Sequence, residues 1–133
     1  MAITVSTMFI PVHDPDAALG FYRDALGLPL REEWSSEAGT GVVLDAGRAT
    51  VELLSAGEAR RVDEIEAGGQ AAGPLRLALE VGDSAAAAAA LVTAGAEQVA
   101  EPVVTPWGHR NVRLRAPDGM QLTLFTVLDE DTS

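Results

Sequence analysis

The chain has 133 residues, with twenty acidic side chains against nine basic ones, a formal charge of −11 and no cysteine. Such a length suits one domain of ordinary size, or two small modules sharing a core, and buries roughly two-thirds of the unfolded surface. The charge repels phosphate backbones and anionic lipid, so no nucleic-acid or membrane partner is expected, and the missing thiols remove disulfides, thiolate nucleophiles and Cys-ligated zinc.

No apolar run approaches the ~20 residues of a membrane span, and "MAITVSTMFIPV" lacks the basic start of a signal peptide, so a cytoplasmic location is expected. Ile3 to Val12 alternates with Met8, Ile10 and Val12 on one face and Thr7, Phe9 and Pro11 on the other, the period of a half-buried strand. Asp14 followed by Pro15 starts a helix, Leu19, Tyr22 and Leu26 form its apolar stripe, and Gly27 closes it. Strands follow at Pro29 to Trp34, Gly41 to Leu44 and Thr50 to Leu54, separated by turn residues in "SSEAGT" and "DAGR".

Residues 57–73, "GEARRVDEIEAGGQAAG", are charged and then Gly/Ala-rich, and are read as the linker between modules, with room for a short helix over Ala59 to Glu66. The order then repeats. A strand from Leu75 to Val81 runs into a cap at Asp83 or Ser84 and an alanine helix ending near Gly95. Strands follow at Gln98 to Val104, Asn111 to Arg115 and Gln121 to Val127. Alanine has the highest helix propensity and its small side chain lets a helix lie close on a sheet, which favours a core helix over a disordered tract.

The division is thus 1–56 for the first βαβββ module, 57–73 for the linker, 74–128 for the second module and 129–133 for an acidic tail. The fold class is α+β, two tandem modules forming a curved mixed sheet around a concave cavity. Superposing the halves on Asp14 and Asp83 matches Thr7 with Arg76 and Glu52 with Thr123.

The pattern Asp14, Ala18, Phe21, Tyr22, Leu26, Gly27, with the Pro117-Asp118-Gly119 turn and "PWGHRNVRLRAPDGMQLTLF", resembles the vicinal oxygen chelate superfamily of glyoxalase I, extradiol dioxygenases and the fosfomycin and bleomycin resistance proteins. The likeness covers nearly the whole chain and is nearest to the bleomycin-resistance branch through Pro106-Trp107-Gly108 and Arg110. It implies half-barrels whose cavity holds the ligand, usually on a metal bound by His and Glu from the first and last strands of the modules. It also implies a homodimer, with barrels completed within one chain or by exchange. Carried over, the ligand positions fall on Thr7, Glu52, Arg76 and Thr123, of which Glu52 alone is a good ligand.

A threonine hydroxyl is a feeble donor and arginine offers no lone pair, so no metal and no other cofactor is expected. His13 stands about 20 Å along its strand from Thr7, and His109 is placed in a turn; surface or rim roles are expected for both. The alternation Leu75, Leu77, Leu79, Val81 sends Arg76, Ala78 and Glu80 to the opposite face. Arg76 is therefore expected in the cavity, paired with an ionised Glu52 as the cation's replacement.

The concave surface is expected to include Phe9, Thr50, Leu54, Ala78, Gln121, Thr123 and Phe125, with Trp34 and Trp107 at the rim. Core packing remains the alternative for the tryptophans, and a cross-strand ion pair for Arg110. The expected function is metal-free binding of a planar or amphipathic small molecule, whose acid group Arg76 or Arg110 would meet. The alternatives are a metal-dependent lyase, isomerase or dioxygenase using Glu52, helped by Glu80, and a partner-binding domain without ligand.

Overall fold

The computed structural model describes residues 2–70, 73 and 75–129. The acidic tail beyond Asp129, and positions 71, 72 and 74 of the connection, lie outside them. The elements are β1 (Ile3–Val12), α1 (Pro15–Leu19, continued by a π-helical stretch Gly20–Ala25), β2 (Leu30–Ser36), β3 (Gly39–Ala46), β4 (Ala49–Ser55), α2 (Ala56–Ala67), β5 (Arg76–Val81), α3 (Ser84–Thr93), β6 (Glu97–Gln98), β7 (Val103–Val104), β8 (His109–Arg115) and β9 (Gln121–Val127).

The strands form one mixed, curved, unclosed sheet in the order β2-β3-β4-β1-β5-β9-β8-β6, with β7 also on β8. Each half pairs its first strand in parallel with its last, β1 with β4 and β5 with β9, and the halves meet where β1 runs antiparallel to β5. In register, Thr7 lies opposite Thr50 and Ala78, and Phe9 opposite Glu52 and Arg76.

Both caps form as the sequence expects: Ala17 N donates to Asp14 Oδ1 and Ala86 N to Asp83 Oδ1, each at 3.1 Å. Each half keeps its own apolar core on the helix side of the sheet. Ile10, Val12, Leu19 and Tyr22 pack with Val42, Leu44 and Leu53, while Ala87 and Ala88 of α3 lie on Val81, Val112, Leu114 and Leu124. With both cores on the helix side, the opposite face is left to the cavity.

Three expectations need correction. The wider turn of the π stretch, closed by Leu26 N donating to Phe21 O, slips the apolar stripe by a residue, so Leu26 is exposed and Leu28 joins the core instead. The strand expected over Gln98 to Val104 is two short strands either side of residues 99–102, where Pro102 has no N–H for a ladder. The connection read as a linker holds the twelve-residue α2, longer than the helix expected at Ala59 to Glu66. Ser55 caps it, and Glu58, Val62, Glu66 and Ala67 on its inner face are buried.

Candidate functional site

A cavity of about 660 Å³ lies on the concave face, walled by strands of both halves and by α2. The first half contributes Thr7, Phe9, Trp34, Val43, Thr50 and Glu52. The second contributes Arg76, Ala78, Asn111, Thr123 and Phe125, with Trp107 and His109 from the β7–β8 turn and the start of β8. From α2 come Glu58, Arg61, Val62 and Glu66, spaced so that one helical face meets the sheet.

The polar floor of the second half is a closed network centred on Glu66. Its Oε1 accepts from Thr123 Oγ1 at 2.9 Å, Arg113 Nη2 at 3.0 Å and Arg76 Nη1 at 3.4 Å, while Oε2 accepts from Asn111 Nδ2 at 3.1 Å. Arg76 Nη1 also donates to Thr123 at 2.8 Å, and Arg113 to Thr123, Gln121 and Asp63. Two buried guanidiniums thus face two carboxylates of α2, the arrangement that makes such burial tolerable. Arg76 further stacks on Phe9, its guanidinium carbon 3.9 Å from the ring centre.

In the first half the Thr7 and Thr50 hydroxyls bond each other. Glu52 has neither hydrogen bond nor ion pair with any described residue. Burial pushes its carboxyl up to about 8, against the opposing pull of Arg76 and with Glu66, Glu32 and Glu58 adding to the rise. At neutral pH it is therefore mostly a neutral acid, able both to donate and to accept. Burial also draws His109 below the ordinary imidazole range, opposed by Glu80 and Glu66, and its ring stacks on Phe125 at 4.8 Å. At the mouth, the Arg61 guanidinium carbon lies 5.9 Å from the Trp107 ring centre while Nη1 holds Glu58 at 2.8 Å; the Ser36 hydroxyl bonds Glu58 as well.

The Glyoxalase/Bleomycin resistance protein/Dioxygenase superfamily model matches residues 4–124. The chain belongs to this superfamily. Among solved structures, a hypothetical protein of Bacillus halodurans C-125 is similar at 18% identity and TM-score 0.72, covering 98% of each chain. Methylmalonyl-CoA epimerase of Streptomyces coelicolor is 23% identical at TM-score 0.66, covering 96% of this chain and all of its own. That of Mycobacterium tuberculosis is 20% identical at 0.66, covering 98% and 92%. At these identities the likeness shows the fold. A search of curated protein sequences found no match.

The four positions that the superfamily resemblance assigns to metal ligands, Thr7, Glu52, Arg76 and Thr123, all line the one cavity. Their chemistry does not fit a metal. Thr7 is engaged by Thr50, Thr123 is engaged three ways, Arg76 is itself a cation, and one carboxylate remains where a site needs three or four donors. Among the described residues no group of three or more His, Cys, Asp or Glu is placed to hold an ion. Glu80 lies on the same face as Arg76 but four residues further along β5, about 13 Å of strand, at the level of Val5 rather than Phe9.

Of the residues expected in the site, Thr7, Phe9, Trp34, Glu52, Arg76, Trp107, Thr123 and Phe125 line the cavity. Two do not. Arg110 is exposed and alternates with Val112 and Leu114, which places it on the α3 side of β8, while Leu54 shares the face of Glu52 but is buried beyond the lining. Arg76 pairs with Glu66 rather than Glu52, because α2 brings a carboxylate directly over the second half. Glu52, expected to be ionised, has its carboxyl pushed up to about 8 by burial, against the pull of Arg76. His109 begins a strand in the cavity wall rather than sitting in a turn; His13 is exposed, as expected.

Sequence reasoning missed Glu66, Asp63, Arg113 and Asn111. The alternation His109, Asn111, Arg113 against Val112, Leu114 carried the signal for β8, as the four-residue spacing Glu58, Val62, Glu66 did for α2.

Proposed function

We propose that this superfamily member binds a small planar or amphipathic organic molecule in the cavity without a metal. The observation that carries the reading is what occupies the four ligand positions of the superfamily resemblance: Thr7 bonded to Thr50, Thr123 bonded to Glu66, a neutral Glu52 carboxyl, and Arg76 locked to Glu66. The lining supports it: Phe9, Trp34, Trp107 and Phe125 bring aromatic rings to the cavity, and many of the polar groups between them are already paired with one another. Trp107 at the mouth favours the bleomycin-resistance branch, and the same reading takes the protein as a cytoplasmic homodimer.

One observation favours a second reading, a metal-dependent lyase, isomerase or dioxygenase: Glu52 faces the cavity unpaired by any described residue and is free to meet a cation. Calorimetric titration of metal-stripped protein with Zn, Ni, Co, Mn and Mg, with Glu52→Gln as control, separates the two. No binding is expected, together with a rise in Tm from members of an aromatic ligand panel. Tight stoichiometric metal binding lost in Glu52→Gln would establish the second reading instead.

A further inference from the structure

We propose that the guest of this cavity carries a hydrogen-bond donor, a hydroxyl or N–H on the edge of a planar ring, and that Asn111 is the residue that selects for it. The proposal rests on the small-molecule reading above and narrows its ligand. Asn111 lines the cavity and is 3% exposed. Its Nδ2 donates to Glu66 Oε2 at 3.1 Å, and the other oxygen of that carboxylate is already taken by Arg76, Arg113 and Thr123. A carboxylate so surrounded only accepts. The amide therefore cannot turn over without setting oxygen against oxygen, and its own oxygen is fixed as the free acceptor.

That Oδ1 is, among the described residues, the buried side-chain polar atom left without a partner. Orphaned buried acceptors are rare in folded proteins, and one in a cavity wall points to a group supplied from outside. Its cross-strand neighbour is Phe125, whose ring is stacked on His109. A planar ring laid along Phe125 presents its edge to Asn111. A carboxylate in the same place would set its oxygens against Oδ1 and meet walls bearing Glu58 and Glu66, while Arg76 is already committed to Glu66. The expected selectivity is therefore for phenols and N–H heterocycles over aromatic acids.

The test uses 2-naphthol, 2-methoxynaphthalene and 2-naphthoate, titrated calorimetrically into the intact protein at pH 6.5. Naphthol is expected to bind about tenfold or more tightly than its methyl ether, the cost of leaving one buried acceptor unmet, with naphthoate weakest. Asn111→Leu should bring naphthol and ether level, with circular dichroism showing that the fold persists. Because that substitution also releases Glu66, the naphthol-to-ether ratio in the unmodified protein stands as an independent measure. Equal binding of naphthol and ether, or tightest binding of naphthoate, would overturn the proposal while leaving the cavity a small-molecule site. Failure of both naphthol and ether to bind would overturn the planar-guest reading along with it.

Discussion

Glu66 Oε1 lies 3.0 Å from Arg113 Nη2, and the two side chains are 3% and 0% exposed, so the segment joining the halves is fastened to the second half by a buried ion pair. Arg76 shares the same oxygen and Asp63 backs Arg113 one helical turn earlier. Two of the four positions that the superfamily resemblance assigns to metal ligands, Arg76 and Thr123, thus belong to a helix-to-sheet latch, and α2 forms a wall of the cavity.

Removing Glu66 leaves two guanidiniums buried with Asp63 as their nearest answer. Glu66→Ala is expected to cost about 3–5 kcal/mol of unfolding free energy, read by urea denaturation. Glu64→Ala, on the exposed side of the same helix, should stay within about 0.5 kcal/mol. Equal costs for the two would show that α2 is not held through this network.

Glu52 sets a pH dependence of opposite sign to an ordinary salt-bridged acid. Its carboxyl rises from 4.5 in the unfolded chain to about 8 in the fold, so between those values the folded state holds a proton that the unfolded state has lost. Its stabilising contribution is full below pH 4.5 and is lost as pH climbs through 8, by a few kcal/mol in all. Glu52→Gln should leave stability near pH 5 unchanged and raise it at pH 8.5. A parent whose stability shows no greater decline than the variant between those pH values would place Glu52 in a wetter or better paired setting.

What could be read from the sequence was what depends on local period. Strand alternation placed Thr7, Phe9, Arg76 and Thr123 on the cavity face, and the Asp14 and Asp83 caps set the repeat. What escaped depended on which distant element would supply a counter-charge. Arg76 needed a carboxylate, and strand register offers Glu52 beside Phe9; the choice of Glu66 follows from how α2 crosses the sheet, which no local pattern in "RRVDEIEAGG" encodes. Leu26 was misjudged for a related reason, since a single-residue widening of a helix shifts every later position on its stripe.

The alanine helix rests on its cap more than most. α3 presents small side chains to the sheet, so each buried residue contributes little area, and Asp83 holds the free amide of Ala86. Asp83→Ala is expected to destabilise by about 1 kcal/mol, whereas Asp83→Asn, which keeps the acceptor, should cost only tenths. Denaturation curves for the two would settle it; equal losses would mean that charge at the helix start, not the hydrogen bond, is what counts.

Trp34 reaches the cavity because the residue opposite it is glycine. A Cβ on Gly41 would stand 2.2 Å from Trp34 Cζ2 and 2.5 Å from Cε2, inside any tolerable contact, so the indole lies directly over the backbone of β3. Gly41→Ala must lift that ring from its seat, at an expected cost of about 1–3 kcal/mol, and push it into the volume a guest would fill. In a Trp107→Phe background, where Trp34 is the sole tryptophan, the emission maximum should move on Gly41→Ala and binding of 2-naphthol should weaken. Unchanged emission and affinity would mean that the ring is not seated on the strand and that the cavity's first-half wall is formed without it.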